Sequence, residues 1–394
     1  MRKDEIVIDV ITSQQSITLN LLREQKLIKQ YMFKSKYNLS EISNRLCIVA
    51  MLRWAICENL NANFSITNFS LMNAEVTYLK NEIGLLIDLM KEKIGDTAKD
   101  YTPTLNYSKK KNINLENCRF IDNTIALGFS NGKDSVCCQL LLKKSGYKIE
   151  NFQFDFDDAD FSHDFHTKYN INDEMLAKKY STQSIFLNNN VSYYQEEDMH
   201  IIYLAPILLS THKGYYTKMA CGVQWDMLSQ NGKGITIAES FASMKNLIDL
   251  TKLMGFPNFG IILPISAISS FGVYRILSDE YGFSKLEDFN SCWISAETPC
   301  GSCTKCIRVT FTQDILKACI SGDFYTMLNI IEQNQIPVDF LFGSQNICKL
   351  LNNLSRENIR DISKDLYLQD IKSEYDAGFS KIIEKEYGFK EAKP

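Results

Sequence analysis

Two short stretches of the chain combine residue types that can do chemistry. The first is Phe129-Ser130-Asn131-Gly132-Lys133-Asp134-Ser135-Val136. Gly132 lets the backbone approach an oxyanion closely. Ser130 and Ser135 carry hydroxyl donors, and Lys133 can add a charge-assisted contact. Asp134 would be repelled by phosphate unless it holds Mg²⁺ or a backbone amide of the loop. An apolar run from Thr124 to Phe129 reads as a buried strand, and Asp134 to Ser145 reads as a helix. A tight turn between them points several backbone N–H groups and a helix N-terminus at one spot, which makes an anion site. A polar strand-to-helix turn without a ligand has the same residue types. Placement at the first crossover of a parallel sheet favours the phosphate reading. The loop is not a Walker A loop, which is longer and ends in Gly-Lys-Ser/Thr.

The second stretch is Cys292-x7-Cys300-x2-Cys303-x2-Cys306. Four thiolates this close can wrap one tetrahedral ion and leave no open position, as in a structural Zn²⁺ site. An iron–sulfur cluster uses the same ligand set. The remaining eight of the 12 cysteines are scattered. Disulfides are not expected in a reducing compartment, and isolated cysteines usually serve as small buried apolar residues. Cys137 and Cys138 fit that description. Cys221, at the end of a strand near the presumed site, fits it too, and is also a candidate sulfur carrier.

Weaker candidates surround these. Asp157 and Asp158 suit either Mg²⁺ or a solvated loop. His163 and His166 could form a general-base pair or face solvent. Trp225, Asp226 and Glu239 lie where a substrate pocket would open. No Gly-x-Ser-x-Gly segment or Ser-His-Asp order supports a serine hydrolase.

The elements that must position these groups fall into three stretches. Residues 4–35 read as strands, with a polar turn at Ser13-Gln14-Gln15. Ser40 to Leu60 has helical spacing with Ser40 as N-cap. Phe64 to Phe69 is a strand. Asn73 to Ile94 is a second helix, capped by Asn73 and with Glu75 at its positive end. Residues 95–117 are polar and read as a linker, whose Ser108-Lys109-Lys110-Lys111 run suits a solvated surface. From 118, strands alternate with helices, which implies a parallel α/β sheet. The strands are Thr124–Phe129, Phe152–Phe156, Ser184–Leu187, Met219–Val223 and Gly260–Pro264. The helices are Asp134–Ser145, Met199–Thr211 and Ser240–Met254. Past 307 the pattern is helical. The division is therefore an α+β N-terminal domain with linker (1–117), a parallel-sheet domain carrying both motifs (118–310), and a helical extension (311–394).

Composition narrows the function classes. The formal net charge of −4 and the pI near 5.7 do not favour nonspecific nucleic-acid binding, which needs a basic surface. No run of about 18 apolar residues exists, so no membrane span is expected. The start lacks a cleavable leader pattern, and a cytoplasmic protein is expected.

The loop at 130–135 resembles the Ser-Gly-Gly-x-Asp-Ser fingerprint of the PP-loop ATP pyrophosphatases, with Asn131 in place of the first glycine. Asn tolerates left-handed backbone better than most residues. The resemblance implies an adenine-nucleotide α-hydrolase-like fold and an ATP site at Ser130, Asn131, Gly132, Lys133, Asp134 and Ser135. It also implies cleavage of ATP to AMP and pyrophosphate, with Mg²⁺ as cofactor and Lys133, Asp134 and Ser135 in the catalytic machinery. Asp155, flanked by Phe154 and Phe156 on the second strand, falls where such folds hold the adenosine; the phenylalanines also suit core packing.

With the segment from Ser291 to Arg308, the chain over about 122–310 resembles the 7-cyano-7-deazaguanine synthases, which adenylate a carboxylate and take up ammonia. Their Tyr-Pro-Asp-x-Arg substrate segment is not matched, because the chain reads Ile235-Thr236-Ile237-Ala238-Glu239-Ser240. Cys300-Gly301-Ser302-Cys303-Thr304-Lys305-Cys306 is also similar to the segment of the ATP-dependent epimerases acting on the terminal glutamate of a muramoyl dipeptide. Synthase-like proteins of phage-defence operons carry added domains as well. These relatives imply an adenylated carboxylate or amide. The added domains enlarge the surface enough for a protein substrate as well as a small molecule, and a homodimer or a partner from the same operon is expected. Two other readings stay open: sulfur transfer to a tRNA or nucleoside through Cys221, and a nucleotide-binding module without turnover.

Overall fold

The computed structural model describes residues 3–34, 38–57, 59–94, 103–111, 119–129, 132–156, 182–187, 210–211, 214–224, 241–256, 259–266, 268, 270–282, 309–310, 313–315, 317–318, 321, 326, 329 and 379–387. In chain order the first half contains β1 (Asp4–Thr12), β2 (Ser16–Arg23), β3 (Lys26–Lys34), α1 (Glu41–Cys57), β4 (Ala62–Leu71), α2 (Asn73–Ile94) and β5 (Leu105–Lys109). The second half contains β6 (Phe120–Ile121), β7 (Thr124–Gly128), α3 (Lys133–Lys144), β8 (Lys148–Phe156), β9 (Thr182–Leu187), β10 (Ser210–Thr211), β11 (Gly214–Tyr216), β12 (Lys218–Ala220), α4 (Phe241–Leu253), β13 (Gly260–Ile262), α5 (Ser270–Tyr281) and α6 (Phe379–Tyr387).

The first sheet has the order β3-β2-β1-β4-β5. An antiparallel meander of β1, β2 and β3 is extended by β4, parallel to β1, and by β5, parallel to β4. Alternation decides the faces. Ile6, Ile8 and Val10 of β1 and Ile17, Leu19 and Leu21 of β2 are all buried. The intervening Asp9, Asn20 and Gln30 stand opposite one another across three strands. Gln30 donates to Asn20 at 2.7 Å, and Asn68 donates to Asp9 at 2.7 Å. The sheet thus has one apolar and one polar face. The apolar face shares a buried cluster with α1 and α2.

Ser40 caps α1 as its sequence suggests, accepting the Ser43 N–H at 3.1 Å. Only Glu41 and Asn44 of α1 escape burial. Two buried arginines on α1 meet two glutamates of α2. Arg45 binds Glu75 through Nε at 2.7 Å and Nη2 at 2.5 Å, and Arg53 Nε binds Glu82 at 3.0 Å. Asn73 is not the cap of α2. Met72 occupies the position before the helix, and its N–H donates to Glu75 Oε2 at 2.8 Å, which is one half of a capping box.

The second half carries a three-stranded sheet, β10-β11-β6, and a five-stranded sheet, β13-β12-β7-β8-β9, whose neighbours are all parallel. The molecule is therefore a mixed α/β protein with a parallel sheet. One hydrophobic cluster runs from Ile6 and Leu46 in the first half through Tyr215 and Tyr216 to Met244 and Leu263 in the second. Polar bonds cross the same junction. Glu82 of α2 accepts Ser243 Oγ at 2.9 Å and Asn246 Nδ2 at 2.8 Å from α4. At the far end, α6 lies on the last turn of α3. Phe379 stacks on Tyr147 with ring centroids 6.2 Å apart, and Lys144 bridges Glu280 and Glu386 at 2.5 and 3.2 Å.

Several sequence expectations are corrected here. The linker at 95–117 contains β5, paired to β4; its polar residues alternate on an edge strand. Ser210 and Thr211 are a strand, not the end of a helix. The strands expected at Met219–Val223 and Gly260–Pro264 end at Ala220 and Ile262. Helix α5 was not foreseen, although Val273, Tyr274, Ile276 and Leu277 have helical spacing and are all buried. The remainder of the Met199–Thr211 helix lies outside the described residues. No helix among the described residues is long and apolar enough to cross a membrane.

Candidate functional site

The parallel sheet begins at its centre. From β7 the chain moves outward through β8 to β9, then returns to place β12 and β13 on the other side of β7. At such a reversal the connections leave on opposite faces, and a crevice opens outside the carboxyl ends of the two strands. The loops leaving β7 and β12 both meet the first turn of α3 there.

Ile125, Ala126 and Leu127 hold β7 in the core, each at most 1% exposed. Gly132 then occupies the N-cap of α3 with extended backbone (φ −75°, ψ 161°) and makes no side-chain cap bond. Its carbonyl takes the Val136 N–H at 3.1 Å. The amides of Lys133, Asp134 and Ser135 belong to the first turn, which has no intrahelical acceptors for them. At the other end Gly146, at φ 77°, donates to the Lys143 carbonyl, and Tyr147 donates to that of Leu142. A left-handed glycine with this pairing stops the helix.

Asp134 is the junction of the site. Lys133 Nζ donates to its Oδ1 at 2.5 Å, and Gln224 Nε2 donates to the same oxygen. Asp134 Oδ2 takes no hydrogen bond among the described residues. The side chain of Asp134 is 35% exposed, against 11% for Lys133. A cation at a helix N-terminus opposes the helix dipole, and the carboxylate beside it offsets that. The Lys133 ammonium also lies 5.6 Å from the ring centroid of the buried Tyr274, which ties α5 to the site. Gly222 brings the second wall in: a Cβ there would stand 3.0 Å from Asp134 Cβ and 3.3 Å from its carbonyl carbon.

The predicted residues divide as follows. Gly132, Lys133, Asp134 and Ser135 share the first turn of α3. The Ser135 hydroxyl, expected to serve a phosphate oxygen, donates back to the Gly132 carbonyl at 3.0 Å and so braces the turn. Asp155 is near the end of β8, opposite Phe186 of β9. Ser130 and Asn131 lie outside the described residues. So do Asp157, Asp158, His163, His166, Trp225, Asp226, Glu239 and the four clustered cysteines. Among the described residues no three His, Cys, Asp or Glu side chains could hold a metal ion together. Cys137, Cys138 and Cys221 are fully buried, and Cys138 Sγ lies 3.7 Å from the Cys221 carbonyl oxygen. Burial pushes the Cys137 and Cys138 thiols well above their ordinary range, which keeps them protonated.

Gln224, Gly222 and Tyr274 are additions that the sequence reading missed. The only local signal was the apolar run Met219-Ala220-Cys221-Gly222-Val223, whose glycine marks a close backbone approach.

No protein-family model matches the chain, and no curated protein does. Among solved structures, a U34-tRNA thiolase, NcsA from Methanococcus maripaludis with its [4Fe-4S] cluster, aligns at 13% identity over 77% of this chain and 88% of that one. Its TM-score is 0.25, so the likeness carries no argument about fold or function.

Proposed function

We propose that the chain is an ATP-cleaving enzyme of the PP-loop class, which adenylates a carboxylate or amide and releases pyrophosphate. The observation that carries this reading is the meeting of two loops on the first turn of α3, at the strand-order reversal, with Asp134 joined to Lys133 and Gln224. The first-turn amides and the neighbouring loop 130–132 would receive the β- and γ-phosphates, whose departure they stabilise electrostatically. Lys133, at hydrogen-bond distance from Asp134, supplies a positive charge beside them.

Mg²⁺ fits the donor set. It favours one or two carboxylates together with phosphate oxygens, and Asp134 Oδ2 is a hard oxygen open among the described residues. When bound, Mg²⁺ supplies charge neutralisation and orientation of the polyphosphate. Asp155, near the carboxyl end of the neighbouring strand, is assigned to the adenosine. Zn²⁺ at Cys292, Cys300, Cys303 and Cys306 would brace the end of the domain, with an iron–sulfur cluster as the other occupant of those ligands.

The substrate side follows from the cysteine segment. Its similarity to the 7-cyano-7-deazaguanine synthases supports a 7-deazaguanine-type acid and C–N bond formation. The glutamyl-epimerase branch shares the same acyl-adenylate. A second reading, sulfur transfer, draws on one placement: Cys221 precedes Gly222 in the wall that touches Asp134. Its complete burial weighs against a carrier role. Cys221→Ser keeps adenylation under the first reading and abolishes activity under the second.

The test follows ATP labelled at the α- and γ-phosphates, with Mg²⁺ and a panel of acids that includes 7-carboxy-7-deazaguanine. The expected products are AMP and pyrophosphate, lost on Asp134→Ala. Formation of ADP and phosphate overturns the assignment.

A further inference from the structure

We propose that Gln224 is a positioning residue, which orients the Asp134 carboxylate so that Oδ2 is the oxygen presented to a hard divalent cation. The inference rests on the nucleotide reading above and deepens it.

A carboxylate on a Cβ–Cγ bond rotates in a broad, roughly two-fold well. Its two oxygens are therefore interchangeable unless something distinguishes them. Here both donors converge on Oδ1: the Lys133 ammonium from α3, and the Gln224 amide from the loop after β12. Lys133 alone cannot hold the orientation, because its flexible stem carries a point charge that follows either oxygen. Gln224 differs. It is 3% exposed, and it leaves a wall whose backbone is pressed against Asp134 at Gly222. Its amide donor is therefore fixed relative to the carboxylate. With Oδ1 saturated by two donors, Oδ2 keeps its lone pairs for a cation. This matches the way Mg²⁺ is held, by few protein ligands in a demanding geometry. The same contact explains why the glutamine sits two residues beyond the close-approach glycine.

The experiment compares the parent chain with Gln224→Met, which keeps the length and removes the donor, and Gln224→Glu, which faces Asp134 with an acceptor. Three readouts are taken: binding of Mn²⁺ in the presence of ATP by electron paramagnetic resonance, AMP formation against Mg²⁺ concentration, and thermal midpoint. The expected result is a roughly tenfold rise in the Mn²⁺ and Mg²⁺ concentrations needed for half-saturation with Gln224→Met, and a larger one with Gln224→Glu. With Gln224→Met the midpoint should stay close to the parent, and the shift in metal dependence should exceed any loss of turnover at saturating Mg²⁺. A purely structural glutamine would lower the midpoint and leave the metal dependence unchanged, which overturns the proposal. If the parent binds Mn²⁺–ATP and Gln224→Met weakens it, yet no AMP forms, the positioning role stands and the adenylation reading falls. A parent that binds neither nucleotide nor metal overturns both.

Discussion

Gly222 has no room for a side chain, since a Cβ would meet Asp134 at 3.0 Å on Cβ and 3.3 Å on the backbone. Overpacking of this kind costs about 1–3 kcal/mol. Here the yielding atoms are those of the first turn of α3. Gly222→Ala should lower stability by about that amount and reduce AMP release by more than tenfold, read by urea denaturation and by the labelled-ATP assay. A loss of stability with full activity would show that the loop is only packed beside the site. The hairpin between β2 and β3 stores a different strain. Glu24 and Gln25 turn at φ 50° and 64°, a region that asparagine and glycine occupy more readily. Glu24→Asn with Gln25→Gly should raise stability by about 1 kcal/mol without touching activity. At this scale the sequence was legible where the partners are neighbours. Gly132, Lys133, Asp134 and Ser135 lie in one local turn. Gln224, 90 residues from Asp134, and Tyr274 reach the site only through the strand order, which no local pattern encodes.

Between elements, the two arginine–glutamate pairs of α1 and α2 make opposite predictions. Arg53 and Glu82 are both completely buried, and Glu82 also binds α4. Removing one member strands a buried charge at a cost of about 3–5 kcal/mol. Glu82→Leu should therefore destabilise strongly, and adding Arg53→Met should recover most of the loss, measured as a double-mutant cycle in urea. Glu75 tests pH. Burial pushes its carboxyl above the ordinary value near 4.5, against the opposing pull of Arg45. The folded state thus binds the proton more tightly than the unfolded chain. The resulting stability is fully present below pH 4.5 and is lost as pH rises through the raised folded value. Glu75→Gln should flatten that part of the stability–pH curve; an unchanged slope would assign it to another group. Helix α2 was readable from apolar spacing and begins and ends where its pattern does, whereas α5 was not. The cap of α2 and the strand ends were not, because Met72 owes its cap role to Glu75, and the Cys221 N–H reaches the Ile262 carbonyl at 3.3 Å beyond the end of β12.

Among the described residues one apolar cluster is shared between all three sheets, α1, α2 and α4. A chain cut to residues 118–394 would expose the face of α4 that carries Ser243 and Asn246. It should aggregate or bind a hydrophobic dye, whereas the intact chain should melt in a single transition. Two separate transitions would mean that the halves fold independently. The α/β class with a parallel sheet was legible from alternating strand and helix patterns. The joint core was not, since apolar periodicity tells which face is buried and never against what. The placement of α6 has a consequence for synthesis. Tyr147 and Lys144 close the far end of the helix whose first turn forms the site, and their partners Phe379 and Glu386 are made more than 200 residues later. While the ribosome is still translating the intervening stretch, α3 has its first turn but lacks its counterweight. A nascent chain stalled before residue 379 should therefore stay open to protease around Tyr147, and should close only after α6 has emerged.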